Sequence, residues 1–206
     1  MKLIWYGHSC FKLDSADGSV VFDPYAPGSV PGLAMPALTA DAVICSHGHG
    51  DHDYAAGVTL TGRTPTFTVQ YADCFHDETQ GSLRGRNRIS VVCAEGLRIA
   101  HLGDLGHKLT PAQLAVLGAV DVLMIPVGGY YTIDAAQAHA IVDAVKPRIT
   151  VPMHYRGDGF GYDVIAPIGD FLRLCNNVRY ADGSTLTLPA DDAAGTTVVL
   201  KCPLAE

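Results

Sequence analysis

Short apolar runs that stop abruptly at a polar residue or a glycine constrain this chain more than any other feature. Val20-Val21-Phe22 stops at Asp23-Pro24, Ala42-Val43-Ile44-Cys45 at Ser46-His47, and Leu97-Arg98-Ile99-Ala100 leads through His101-Leu102 to Gly103-Asp104. Val122-Leu123-Met124-Ile125 stops at Pro126-Val127-Gly128-Gly129, and Ile149-Thr150-Val151 at Pro152-Met153-His154. Near-continuous apolar runs of this length suit strands buried on both faces, so layers of helix are expected over the sheets. Polar residues at strand ends are where such folds place their sites.

Helix signals fall between the later runs. Thr110 is placed to cap a helix with Pro111 as its first residue, Gln113 completing a capping box and Gly118 as the stop. Asp134 caps a second, whose apolar stripe Ala138, Ile141, Val142 and Val145 ends at Pro147. A third is expected over residues 164–175, with Ile168, Leu172 and Cys175 facing inward. Helix followed by strand is the pattern of an α/β layered architecture. The 206 residues, 48% of them hydrophobic and 17% charged, are read as a single domain spanning 1–206. The Pro- and Gly-rich residues 24–36 read as an irregular loop forming one wall of a cleft.

The chemistry concentrates in Ser46-His47-Gly48-His49-Gly50-Asp51-His52, directly after an apolar run. Side chains two apart in extended backbone point the same way, so His47 and His49 can present imidazoles to one metal ion. The following turn can send Asp51 and His52 towards a second. Gly48 and Gly50 are expected to remove bulk and permit sharp turns. Imidazoles crowded around a carboxylate favour binding a cation, because each would otherwise need its own hydrogen-bond partner.

His47-x-His49-x-Asp51-His52 resembles the signature of the metallo-β-lactamase superfamily, and further motifs follow in that family's order. His76 in Cys74-Phe75-His76-Asp77 falls where the third His of the first metal lies. Asp104 in His101-Leu102-Gly103-Asp104 fits the carboxylate bridging both metals, and His154 in Val151-Pro152-Met153-His154-Tyr155 the last ligand of the second. The matching segments run from Gly7-His8-Ser9-Cys10 to His154. The resemblance implies a four-layer αβ/βα sandwich in which His47, His49, His76 and Asp104 hold metal one and Asp51, His52, Asp104 and His154 metal two. It also implies that Asp23 orients the metal-binding loop. Arg98-Ile99-Ala100-His101-Leu102-Gly103-Asp104-Leu105-Gly106-His107 and Ile125-Pro126-Val127-Gly128-Gly129 look like the small hydrolases related to ascorbate-phosphate lactonase.

A pair of divalent ions, zinc by default with manganese, iron or nickel as alternatives, is the cofactor so implied. Ions sharing Asp104 can share a hydroxide and polarise a carbonyl or phosphoryl oxygen, so esters, lactones, amides and phosphodiesters are all within reach. Asp51 and Asp104 are the candidate catalytic carboxylates. Arg84, Tyr130, Tyr131 and Arg156 are candidate substrate contacts at the rim, with His8 and His107 as second-layer or substrate-facing groups. Rival readings are an iron-dependent oxidoreductase of the same fold and a catalytically silent metal-binding module.

A formal charge of −7 opposes a general nucleic-acid partner, although Arg84, Arg86 and Arg88 form one local basic stretch. The expected partner is a small, anionic metabolite. Six cysteines without a Cys-x-x-Cys pair, no apolar run of membrane length and an N-terminal apolar stretch too short for a leader indicate a cytoplasmic protein.

Overall fold

The computed structural model describes residues 1–203, so the last three of the 1–206 domain lie outside the described residues. Two sheets face each other. The first contains β1 (Lys2–Trp5), β2 (Phe11–Ser15), β3 (Gly18–Phe22), β5 (Ala42–Ile44) and β13 (Thr185–Thr187), in the order β13-β1-β2-β3-β5. Beside it β4 (Leu38–Ala40) pairs with β6 (Val58–Leu60) in parallel.

The second sheet is built from β7 (Thr68–Phe75), β8 (Arg86–Ala94), β9 (Leu97–His101), β10 (Val122–Pro126), β11 (Ile149–Met153), β12 (Val178–Tyr180) and β14 (Thr196–Val199). Its order is β12-β14-β11-β10-β9-β8-β7. The pairs β7–β8 and β8–β9 are antiparallel, whereas β9, β10, β11 and β14 run parallel. Parallel neighbours need crossovers, and helices supply them. Helix α1 (Pro111–Leu117) joins β9 to β10, α2 (Ala135–Val145) joins β10 to β11, and α3 (Gly169–Leu172) lies between β11 and β12. β10 and β11 are buried at every position, which explains their uninterrupted apolar sequence. The connection from β5 to β6 carries only a 3-10 turn at Ala55–Gly57.

The sheets meet through aromatic and histidine side chains. His101 of β9 stacks on Phe22 of β3 at 5.3 Å between ring centres, and its Nε2 lies 2.9 Å from the Ser9 carbonyl. Trp5 of β1 packs 5.6 Å from Tyr155, beyond β11. The α/β sandwich is the architecture that the apolar runs and helix signals require.

The first two helices begin as their capping residues dictate. Thr110 and Gln113 form a reciprocal capping box, with Pro111 at the first helical position and Gly118 at the end. Asp134 and Gln137 do the same for α2, which stops at Lys146 in the left-handed conformation, just before Pro147. The third helix differs from expectation, since α3 is one turn over Gly169–Leu172 and not a helix over residues 164–175. Backbone groups ahead of it are committed elsewhere: Ala166 N donates to Gly128 O at 2.7 Å, and Arg156 bridges to Pro167. Beyond it, Leu174 N and Cys175 N bond only three residues back, which tightens and ends the helix. Phe171, fully buried, is its anchor, with Ile168, Leu172 and Cys175 packed against the core at its edge. No helix among the described residues is long and apolar enough to cross a membrane.

Candidate metal centre

Strand ends deliver the polar residues to one place. β3 delivers Asp23, β5 delivers Ser46 and His47, β7 delivers His76, β9 delivers Asp104 and β11 delivers His154. After His47 the chain makes one turn, in which His52 N and Asp53 N donate to His49 O at 2.8 and 2.9 Å. Gly48 and Gly50 are not what allows this turn. Neither has a positive φ, and an added Cβ would approach nothing closer than 3.9 Å. Glycine is required instead at Gly103, with φ +55 and room for no Cβ, because Ser46 Cβ and Asn87 Oδ1 lie 2.4 Å from where it would be.

Asp104 is the hub. Its Oδ2 lies 3.1 Å from His76 Nε2, 3.2 Å from His154 Nε2 and 4.0 Å from His47 Nε2, while its Oδ1 lies 3.3 Å from His52 Nε2. On one side, donor atoms of His47, His49 and His76 fall within 4.8 Å of one another. On the other, those of Asp51, His52 and His154 do the same, joined by His8. His47 Nε2, His52 Nε2 and Asp104 Oδ1, which face one another across the centre, are buried without a hydrogen-bond partner. Leaving such groups unpaired costs about 1–3 kcal/mol each, so they suit a cation that would engage them. Imidazole and carboxylate donors fit zinc, manganese, iron or nickel.

Electrostatics prepare the donors. Burial, reinforced by His52, pulls the His47 imidazole down to about 3, and burial with His154 nearby pulls His8 down to about 4; both are neutral at pH 7 with a lone pair free. Burial pushes the Asp104 carboxyl up, but His154 and His52 overcome it and hold the group well below the usual carboxylate range. Burial works against a charged His52, yet Asp104 and Asp23 raise it well above the ordinary imidazole value.

A further layer holds the donors in place. Asp23, fully buried, accepts from Ser46 N at 2.7 Å and Ser46 Oγ at 2.6 Å and lies 2.7 Å from His52 Nδ1. Asn87, on β8, accepts from Asp104 N at 3.0 Å and donates to Leu102 O at 2.8 Å. Asp77 accepts from Thr79 N, Gly81 N, Leu83 N and Arg84 N, between 2.8 and 3.1 Å, and so shapes the loop that returns to β8. Asn87 and Asp77 carry no sequence signal, because a lone polar residue on a strand or after a His has no distinctive spacing.

A cleft of about 310 Å³ opens over the centre, lined by His49, Asp51, His76, Leu83, Arg84, Asp104, Tyr131, His154 and Tyr162. The Arg84 guanidinium sits 5.7 Å over the Tyr131 ring. Tyr162, absent from the sequence-level candidates, has its hydroxyl 3.1 Å from Asp51 Oδ2 and 2.6 Å from Ser29 O. Residues 24–36 therefore brace Tyr162 from behind and do not themselves line this cleft. Of the candidate substrate contacts, Tyr130, Arg156, His107 and the fully buried His8 also stand outside it. Tyr130 is 64% exposed, with its ring edge-on to Tyr131. His107 Nε2 accepts from Phe75 N at 3.1 Å, and Arg156 Nε donates to Ile165 O at 3.3 Å, so both tie backbone together. Arg84, Arg86 and Arg88 line a second cavity of about 480 Å³ that shares His49 with the cleft.

Known proteins resemble this chain in sequence and fold. Residues 2–154 match the model of the Beta-lactamase superfamily domain. A UPF0173 metal-dependent hydrolase of Thermoplasma acidophilum is 27% identical over 187 residues, covering 75% of this chain and 83% of the relative. One from Carboxydothermus hydrogenoformans is 28% identical over 191 residues, covering 75% and 84%. A crystal structure from Thermotoga maritima, described as a candidate Zn-dependent hydrolase of the metallo-β-lactamase superfamily, superposes with a TM-score of 0.77 at 33% identity over 97% of both chains. The chain belongs to the metallo-β-lactamase superfamily.

Proposed function

We propose that this protein is a metal-dependent hydrolase that holds two divalent ions, zinc in the first instance, and cleaves an ester, lactone, amide or phosphodiester bond in a small anionic metabolite. The observation that carries the reading is the pair of donor groups, His47/His49/His76 and Asp51/His52/His154, on either side of the buried Asp104. Bound there, divalent ions supply Lewis acidity and lower the pKa of water from 15.7 towards ~7.

The chain's own residues do the rest. Asp104, kept ionised by His154 and His52, reaches both donor groups and sets their separation. Asp51 stands at the cleft with its carboxyl held low: burial opposes this, but the neighbouring His8 and His52 prevail. Burial, then Asp51, raises the Tyr162 phenol above its ordinary value, so it keeps its proton and holds it between Ser29 O and Asp51 Oδ2, which positions the Asp51 carboxylate at the cleft. Arg84, steadied over Tyr131, faces the same space as a fixed positive charge for a carboxylate or phosphate. The negative net charge supports a small-molecule partner over nucleic acid, and six free cysteines suit the reducing cytoplasm.

Elemental analysis of purified protein, followed by hydrolysis assays on lactone, phosphodiester and β-lactam panels, tests the reading. Two equivalents of metal and turnover of an anionic ester or lactone are expected. Iron-dependent oxygen uptake without hydrolysis would overturn it in favour of an oxidoreductase. Arg84→Ala is expected to raise KM for anionic substrates and leave neutral analogues unchanged; an equal effect on both would remove the anion-binding role.

A further inference from the structure

His8 sits in the turn between β1 and β2 with φ 51, a backbone conformation that a histidine adopts at a cost. It is clamped there. Its carbonyl accepts from Trp5 Nε1 at 3.0 Å and from His154 N at 3.3 Å, which ties the turn to β1 and to the end of β11. The preceding Gly7 has φ +96, a conformation that favours glycine, and a Cβ there would also push on the Leu33 side chain, whose Cδ1 would lie 2.6 Å away.

The clamp drives the imidazole into the centre. Its ring lies 4.2 Å from that of His154 and 5.1 Å from that of His52, with the side chain fully buried. Both ring nitrogens lack a hydrogen-bond partner. Nε2 comes within 3.3 Å of Asp51 Oδ2 without the alignment of a hydrogen bond. Donor atoms of His8, Asp51, His52 and His154 all fall within 4.8 Å of one another. Trans donors on one ion with ~2.1 Å bonds stand ~4.2 Å apart, so a small closure brings all four to a single ion.

Resting on the dinuclear reading above, we propose that His8 is itself a ligand of the second ion, through Nε2, beside Asp51, His52, His154 and Asp104. Five protein donors exceed the four that zinc takes in closed sites. The second position therefore favours an ion at ease with five or six ligands, such as manganese, iron or nickel, whereas the first remains a three-histidine site with Asp104.

Diffraction from wild-type protein loaded with zinc or manganese reads the contact directly. A His8 Nε2–ion distance of ~2.0–2.2 Å is expected, and a second ion seated with His8 more than ~3 Å away overturns the proposal while leaving the dinuclear reading intact. Protein that takes up no second ion overturns both. In solution, His8→Gln titrated with cobalt against a chelator is expected to bind the second ion ~10-fold or more weakly, the first as before, with altered visible d–d bands. Bands and affinities equal to wild type, or equal weakening at both positions, would mark His8 as structural. Should His8→Gln fail to fold, the wild-type distance decides.

Discussion

Asp23 lies within reach of His47 and His52 donor atoms, but both its oxygens are engaged by hydrogen bonds, so its part is to hold the donors in place. One carboxylate oxygen holds Ser46 N and the other touches both Ser46 Oγ and His52 Nδ1, so strand β5 and the His52 ring are positioned by the same group. Asp23→Asn keeps the size of the side chain but removes the charge that orients the ring and raises its basicity. Partners of this kind typically change metal affinity by ~10–100-fold, and a loss within that range is expected in chelator competition at both ions, because Ser46 Oγ, held by Asp23, also lies 2.9 Å from His47 Nδ1. Undiminished affinity would show that the ring is held by packing alone. Asp77→Asn probes the other flank. It leaves an acceptor for Thr79 N and Gly81 N but turns a donor towards Leu83 N and Arg84 N, or the reverse. The loop should loosen and Arg84 shift from Tyr131, with kcat/KM falling on the order of tenfold or more; limited proteolysis after Leu83 or Arg84 no faster than in wild type would count against this.

At the level of elements, the site is a junction of strand ends, and at Gly103 the chain leaving β9 packs tightly against Ser46, just beyond β5, and Asn87 of β8. Gly103→Ala would press a methyl group against Ser46 Cβ and Asn87 Oδ1 and strain a positive φ. A destabilisation of about 1–3 kcal/mol is expected from overpacking, with weaker metal binding because Asn87 also holds Asp104 N. Chemical denaturation reads the first and metal titration the second; a change below ~0.5 kcal/mol would mean that the junction yields. The same junction explains what was legible in the sequence. Buried parallel strands, capped helices α1 and α2 and the clustered ligands each leave a local pattern: apolar runs, Thr110 with Gln113, His47 to His52. Residues that act only through a neighbour brought by the fold leave none. Asn87 and Tyr162 were invisible for that reason, Arg156 and His107 looked alike to rim residues, and the expected helix over residues 164–175 shrank because its backbone is bonded to Gly128.

For the whole molecule, ions at the centre would join both sheets, since Asp51 and His52 follow β5 of the first while His76, Asp104 and His154 leave the second. Metal should therefore stabilise the entire fold and not a loop. A ligand at a hundred times its Kd adds about 2.7 kcal/mol, and about 2–4 °C per kcal/mol applies to a chain of this size, so loading is expected to raise Tm by roughly 5–11 °C. The sign of its pH dependence follows from His52. In the metal-free protein Asp104 and Asp23, against the opposing effect of burial, hold His52 well above the ordinary imidazole value. That stabilisation is complete below ~6.5 and disappears only as pH rises through the elevated folded value. An ion must displace this proton, so binding releases protons and tightens as pH rises. Differential scanning with and without zinc from about pH 6 to about pH 8 should show the Tm difference widening with pH; a constant or narrowing gap would mean that His52 is not a ligand.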